Sequence, residues 1–322
     1  MKVLTEREII RIITNRFARE RSVPLGFGDD VSAIPLSSKN WIIVKTDMLV
    51  GSTDVPPGMT TQEVARKAVV ATVSDFAAKG VRPIALMVSL GLPAPVKKKT
   101  VQDLARGLGQ AAQEYRCKLI GGDTNQSNDL VIDVAGVGLA DPKTLVRRTG
   151  AHPGEIVATT GLFGRPAAGL RILTANRKQD AAKYPSLVKA VRQPKARLAE
   201  GIILARSRVV SSSIDSSDGL AFSLHQIAEA SKVGIDLHMI PIADEVARFA
   251  KERRLSSLEL ALYGGEEYEL VITIKPNGFD ELKKRVPSLT EIGIVEKESF
   301  GVLAHLEGKQ IQIKERGWEH FA

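Results

Sequence analysis

Apolar residues recur at helical spacing through residues 61–79, at Val64, Ala65, Ala68, Val69, Val73 and Phe76, with Gly80 as the stop. Short, nearly continuous apolar runs lie between such stretches. WIIVKT at 41–46 reads as a strand ending at Asp47, and IALMVSLGL at 84–92 as a buried strand. Thr5-Glu6-Arg7-Glu8 has capping-box spacing ahead of Ile9, Ile10, Ile12, Ile13 and Phe17, which predicts an opening amphipathic helix. Thr100 and Asp103 open a further helix over 100–116. A strand over 117–120 then runs into Gly121-Gly122-Asp123, and another follows over 130–139.

A turn-rich stretch near Asp141-Pro142 and His152-Pro153-Gly154 separates the halves. The second half alternates again. Strands are predicted over 155–160, 234–239, 268–274, 292–295 and 310–314. Helices are predicted over 165–175, 194–206, 256–262 and 278–286, and after Asp218. This order implies an α/β protein of two domains, 1–145 and 146–322. A length of 322 residues with 43% hydrophobic composition supports two packed cores and argues against disorder. No apolar run approaches the roughly 20 residues that span a bilayer, and the N-terminus lacks the apolar core of a signal peptide. A cytoplasmic protein without a membrane partner is expected. Cys117 is the single cysteine, which excludes a disulfide framework or cysteine metal cluster. A net charge of +8 favours anionic partners, but no nucleic-acid-binding motif accompanies the short basic clusters, so no nucleic-acid partner is expected.

The acids change the picture most. Asp29-Asp30 follows Gly28, Asp47 follows Thr46, Asp75 follows Ser74, Asp123 follows Gly122, and Asp215 and Asp218 stand three apart. Singly, each is an ordinary turn or cap residue. Together they put carboxylates where several apolar elements meet their loops. If they converge, two carboxylates about 4 Å apart repel by roughly 4 kcal/mol at an effective dielectric near 20. Lys45 is the only basic residue inside these segments, so bound Mg²⁺ is the expected compensation. No P-loop and no G-x-G-x-x-G is present. Phosphates would then be held through metal ions and close backbone approach at glycines.

GFGDDVSAI (26–34), KTDMLV (45–50), ATVSDFAAKG (71–80), LIGGDT (119–124), RRTG (147–150), IDSSDGL (214–220), GGEEYEL (264–270) and GWEHFA (317–322) stand in an order that resembles the thiamine-monophosphate kinase family. The resemblance runs from near residue 24 to the C-terminus. It implies a mixed-sheet N-terminal domain, a barrel-like homodimer interface formed by that domain, and a C-terminal α/β domain. It implies Asp30, Thr46, Asp47, Asp75, Asp123, Asp215 and Asp218 as ligands of several Mg²⁺ ions. Thr46, Gly122, Asp123, Arg148 and Ser217 would contact ATP, with Asp123, Asp215 and Arg148 catalytic. Position 54, Glu266 and Trp318 would contact thiamine monophosphate. The family often has His where this chain has Asp54, and GGED where it has Gly264-Gly265-Glu266-Glu267.

The implied reaction moves the γ-phosphoryl of ATP onto the phosphate of thiamine monophosphate by direct in-line transfer. The acceptor oxygen is already anionic, so no strong base is required, and positioning and cations carry the catalysis. Another ATP enzyme of the same superfamily, such as aminoimidazole-ribonucleotide synthetase, is the alternative. A non-enzymatic nucleotide-binding protein is the third reading.

Overall fold

The structure, a computed structural model, describes residues 4–16, 23–306 and 308–320. Phe17 of the opening helix and Phe321-Ala322 of the closing motif lie outside the described residues. Helix α1 (Glu6–Thr14) starts as the sequence predicts, with Thr5 and Glu8 capping each other's backbone. There follow β1 (Ser32–Pro35), β2 (Trp41–Val50), α2 (Gly51–Asp54), α3 (Thr61–Ala78), β3 (Pro83–Pro93), α4 (Lys98–Glu114), β4 (Lys118–Ser127) and β5 (Val131–Ala140). Their strands form one sheet in the order β1-β2-β5-β3-β4, antiparallel except for the β3–β4 pair.

The second half contains β6 (Ile156–Thr159), α5 (Arg165–Thr174), α6 (Lys178–Lys183), α7 (Pro185–Arg192), α8 (Leu198–Ser207), β7 (Val210–Asp215), α9 (Leu220–Ser231), β8 (Val233–Leu237), α10 (Asp244–Arg253), α11 (Ser257–Tyr263), β9 (Leu270–Ile274), α12 (Phe279–Arg285), β10 (Thr290–Lys297), β11 (Val302–Leu306) and β12 (Lys309–Gln312). Its seven strands order as β12-β11-β8-β10-β6-β9-β7. Only the β11–β8 pair is parallel. The architecture is mixed α/β, as the alternation implies. No described helix is long and apolar enough to cross a membrane.

Helix α3 joins the two halves. Thr60 and Glu63 build a capping box at its start. Of its 18 residues, 14 are buried, including Arg66, Lys67, Ser74 and Asp75. A helix buried on every side must have neighbours on every side. Leu49, Leu86, Val88, Ile132 and Val134 of the first sheet share its core, as do Leu198 and Leu204 of α8 and Leu270 and Ile272 of β9. The α8 contact is backbone to side-chainless backbone: a Cβ at Gly201 would lie 2.0 Å from the Ala77 carbonyl oxygen.

The other face of the first sheet is open. Ile34, Met48, Met87 and Leu139 are exposed on it, and strand alternation puts them on one side. With the 26–32 loop, this face borders a cavity of about 600 Å³ lined by Phe27, Val44, Met87, Ile120 and Val137.

Several boundaries differ from those the sequence suggests. Strand β2 continues through Asp47 to Val50, and β4 runs straight through Gly121-Gly122-Asp123 to Ser127. Helix α4 begins at Lys98 without a side-chain cap, so Thr100 opens nothing. The sequence pattern leaves β1, α2, α6, α7, β7, α10 and β11 unpredicted. In α10 only Val246, Phe249 and Ala250 are buried, an i, i+3, i+4 stripe hidden among charges.

Gly201→Ala is expected to destabilise the protein by roughly 1–3 kcal/mol through overpacking at the α3–α8 crossing. A chemical-denaturation midpoint equal to that of the unsubstituted chain would show that the two helices part at no cost.

Candidate active site

Asp30, from the loop before β1, Asp75, in the last turn of α3, and Asp215, at the end of β7, bring carboxylate oxygens within 4.8 Å of one another. All three are buried. Both halves of the chain therefore supply one acidic centre. Ser74 Oγ donates to Asp215 at 2.8 Å. Asp47 reaches the same centre from β2 through Lys45, whose Nζ lies 3.2 Å from Asp47 and 2.8 Å from Asp75.

Lys45 is the basic group expected inside the acidic segments, and Arg148 is expected at the site from the family resemblance. The fold brings Arg148 onto the acids and adds Lys79. Lys79, just past α3 and completely buried, contacts Asp29 at 2.5 Å and Asp30 at 2.8 Å, and donates to the Ser213 carbonyl at 2.8 Å. Arg148 pairs with Asp30, donates to Gln226 at 2.9 Å, and sends its backbone N–H to Asp29 at 3.0 Å. Side-chain cations thus compensate part of the acidic charge that the sequence alone assigns to Mg²⁺. Lys79 escapes a reading of the acidic segments because it lies four residues beyond Asp75, one helical turn further along the same face, where it meets Asp29 and Asp30.

These partners sort the carboxylates. Burial disfavours the charge on Asp30, but Lys79 and Arg148 more than offset it and hold its carboxyl below the usual range. Asp75 goes the other way: burial, then Asp47 and Asp215, push it well up despite Lys45. Asp215 is pushed up to about 7 by burial and by Asp30, against the Ser74 hydrogen bond. Asp218 is pushed up to about 6 by burial and by Glu6. It is not a helix cap, since Gly219 takes the N-cap position of α9 and no side chain caps it.

The remaining predicted residues occupy three places. Thr46 and Asp47 alternate across β2, so Thr46 points to the open face, where its Oγ1 donates to Asp133 at 2.7 Å. Asp133 is absent from the sequence reading because it sits inside an apolar strand without a glycine beside it. Asp123 lies opposite Ser89 on the exposed edge strand β4 and is not one of the three converging acids. Gly122 has a packing reason of its own: a Cβ there would lie 1.8 Å from the Val88 carbonyl oxygen. The acids at 47, 75 and 123 therefore stand inside strands and a helix, rather than where elements meet loops.

The third place is the far end of α3. Lys67, buried, donates to the Asp54 carbonyl at 2.7 Å and pairs with Glu266. Glu266 has a left-handed backbone, φ 64°, and its N–H donates to the Ser217 carbonyl at 2.6 Å. Asp54 spends one carboxylate oxygen on the Val50 N–H, 2.7 Å away, and its other oxygen lies 4.0 Å from His320. Trp318 is half exposed, edge-on to His320, and its backbone N–H donates to the Asp218 carbonyl at 2.9 Å. The C-terminal segment therefore lies against the loop that carries Asp218, and Lys67 was not legible as part of the site.

Residues 28–140 match the family described as AIR synthase related protein, N-terminal domain. Over its full length the chain is 38% identical to the thiamine-monophosphate kinase of Nitrosopumilus maritimus, all of whose length is covered. The chain belongs to the thiamine-monophosphate kinase family. The family member from Pyrococcus horikoshii is 36% identical, with 99% of this chain and 97% of that one covered. Among solved structures, AaThiL complexed with AMPPCP and TMP matches 99% of this chain and 98% of its own, with a TM-score of 0.86 at 28% identity. Membership in the thiamine-monophosphate kinase family accounts for the order of the short motifs along the chain.

The sign of the Asp215 shift gives a stability test on the metal-free chain. Its folded pKa, about 7, lies above the ordinary 3.8. Its favourable contribution is therefore complete below the ordinary value and is lost as pH rises through about 7. Metal-free Asp215→Asn is expected to melt a few degrees above the unsubstituted chain at pH 8, with the gap closing towards pH 5. A gap that is constant or widens towards pH 5 in thermal melts would contradict the assigned environment.

Proposed function

We propose that the acidic centre and the far end of α3 together perform the ATP-dependent phosphorylation of thiamine monophosphate to thiamine diphosphate, by direct in-line transfer. The chain is a thiamine-phosphate kinase, and ATP is its co-substrate. The observation that carries the residue-level reading is the convergence of Asp30, Asp75 and Asp215 from both halves of the chain.

The donor set fits Mg²⁺. It consists of hard carboxylate oxygens, and one buried oxygen of Asp47 has no hydrogen-bond partner. Asp30, Asp47, Asp75, Asp215 and Asp218 would hold the ions, with Thr46 and Asp123 contributing from the open face and edge strand. Bound there, Mg²⁺ would withdraw charge from the phosphates. Asp30 is kept anionic by Lys79 and Arg148, so it is ready to bind a cation without first losing a proton.

Arg148 is placed to leave one partner for another. Its guanidinium is always charged and grips two oxygens at once, so it can neutralise phosphate oxygens at the nucleotide side. Gly122 and Ser217 would contribute backbone and hydroxyl contacts to ATP, and the cavity on the open sheet face would accommodate the base. At the acceptor side, Glu266 faces the cationic thiazolium and Trp318 offers it an aromatic face. Asp54 braces its own turn through Val50 and reaches the substrate from there. Transfer needs no general base, because the attacking oxygen belongs to a phosphate monoester that is already ionised.

The same open face supports a homodimer. A sheet face that exposes several large apolar side chains favours an interaction surface. Joining two such sheets would cover Ile34, Met48, Met87 and Leu139 and give the barrel-like interface. The units 1–145 and 146–322 would then close on the site from opposite sides, in a cytoplasmic enzyme.

ADP release coupled to thiamine monophosphate, and dependent on Mg²⁺, is the expected assay result. Asp215→Asn and Asp123→Asn should each lower kcat on the order of 100-fold or more while leaving a folded chain. Near-normal turnover in both would remove the residue assignment. Trp318→Ala should raise KM for thiamine monophosphate up to about tenfold, matching a cation–π contact of up to roughly 1–2 kcal/mol, with KM for ATP unchanged. Equal changes in both KM values would speak for a structural tryptophan instead.

A further inference from the structure

Lys45 stands where a metal ligand set should have room for a metal. It follows Val44 on β2 and precedes Thr46-Asp47. Its Nζ lies 2.8 Å from Asp75 and 3.2 Å from Asp47. Asp75 is one of the three converging acids, so the ammonium is already inside the acidic centre. Burial opposes its charge, but Asp75 and Asp47 more than restore it, and Lys45 is held as a cation. Lys79 and Arg148 serve a different part of the cluster, on Asp29 and Asp30. Within the described residues, Lys45 is the cation paired with Asp75 and Asp47.

The two kinds of partner differ in what they can give up. Lys79 is completely buried and anchored by three groups, including a backbone carbonyl. Lys45 is about one-quarter accessible, and among the described residues its ion-pair partners are two carboxylates, Asp75 and Asp47. Its flexible four-carbon stem allows the head to leave without moving the strand. A divalent cation on Asp75 and Asp47 would compete with it directly, since two cations cannot share those oxygens at ion-pair distance without strong repulsion. The border of the neighbouring cavity is close by, and both Lys45 and Asp30 line it.

We propose that Lys45 is an exchangeable internal counter-ion, which a divalent metal displaces from Asp75 and Asp47. The acidic centre then alternates between a lysine-filled and a metal-filled state. Lys45 is a positioning residue in this scheme, one that keeps the carboxylates gathered when no metal is present and sets how tightly a metal is held. The proposal rests on the reading of this centre as a metal site.

Mn²⁺ affinity, measured by calorimetry without nucleotide, tests it. Lys45→Met is expected to bind Mn²⁺ about tenfold more tightly than the unsubstituted chain, the equivalent of about 1.4 kcal/mol. Lys45→Arg, which keeps the charge, should bind no more tightly than the unsubstituted chain. Metal-free Lys45→Met should melt lower than the unsubstituted chain, and Mn²⁺ should raise its melting temperature by the larger increment. A second measurement uses the unsubstituted chain alone: acylation of Lys45 by an amine-directed reagent, followed by mass spectrometry, should rise when Mn²⁺ is added. Unchanged or weaker Mn²⁺ binding by Lys45→Met, or Lys45 acylation indifferent to Mn²⁺, would overturn the exchange and leave the metal site standing. No Mn²⁺ binding by the unsubstituted chain would overturn the metal site and the exchange together.

Discussion

Like charges resist being gathered, and the chain must gather at least six aspartates from distant segments. Lys79 is the interaction that makes this possible. One buried ammonium touches Asp29 and Asp30 from the first half and the Ser213 carbonyl from the second. It neutralises the acids on one side of the centre and fastens the halves together with the same three contacts. A buried charge that loses its partner costs on the order of 3–5 kcal/mol, so the arrangement is held strongly in either direction. The rest of the site builds outwards from that fixed side, through Arg148 to Gln226 and through Asp30 to Asp75 and Asp215.

The compensation is deliberately incomplete. Six acids, Asp29, Asp30, Asp47, Asp75, Asp215 and Asp218, face three cations, Lys45, Lys79 and Arg148. The surplus falls on Asp75, Asp215 and Asp218, the groups whose carboxyls are pushed upwards. A centre left electron-rich at one side and satisfied at the other is suited to receive divalent cations at a defined place. This division of labour follows from geometry: both acids are buried, but Asp30 has two cations beside it, Lys79 and Arg148, whereas Asp75 has Lys45 alone and is crowded by Asp47, Asp215 and Asp30.

The sequence disclosed those parts of the site whose chemistry is concentrated in short motifs. Asp30, Asp75 and Asp215 are readable because an acid beside glycine or serine interrupts an apolar stretch, and the three do meet. The amphipathic and apolar periods likewise locate α3, β3 and β5. Groups that act through the third dimension were hidden. Lys67 and Lys79 look like ordinary helix-face lysines until their helix proves to have no solvent face. Asp133 is buried in the text of an apolar strand, and only pairing between β2 and β5 brings it to Thr46. Strand ends at Asp47 and near Gly121 are misplaced for a related reason: glycine and aspartate normally signal turns, but here close pairing with β3 leaves no room for a side chain at Gly122, and Asp47 finds Lys45 as a partner within its own strand.

Helix α3 carries Lys67 in its second turn, beside Glu266, Asp75 at the acidic centre, and Lys79 immediately after its last turn. At a rise of about 1.5 Å per residue, the eight residues from Lys67 to Asp75 set their backbones ~12 Å apart along the axis. Because the rod is wedged on all sides, that separation behaves as a ruler rather than a spring. Whatever breathing the surrounding loops undergo, Lys67 and Asp75 keep their spacing, and the groups paired with each are held at a fixed separation.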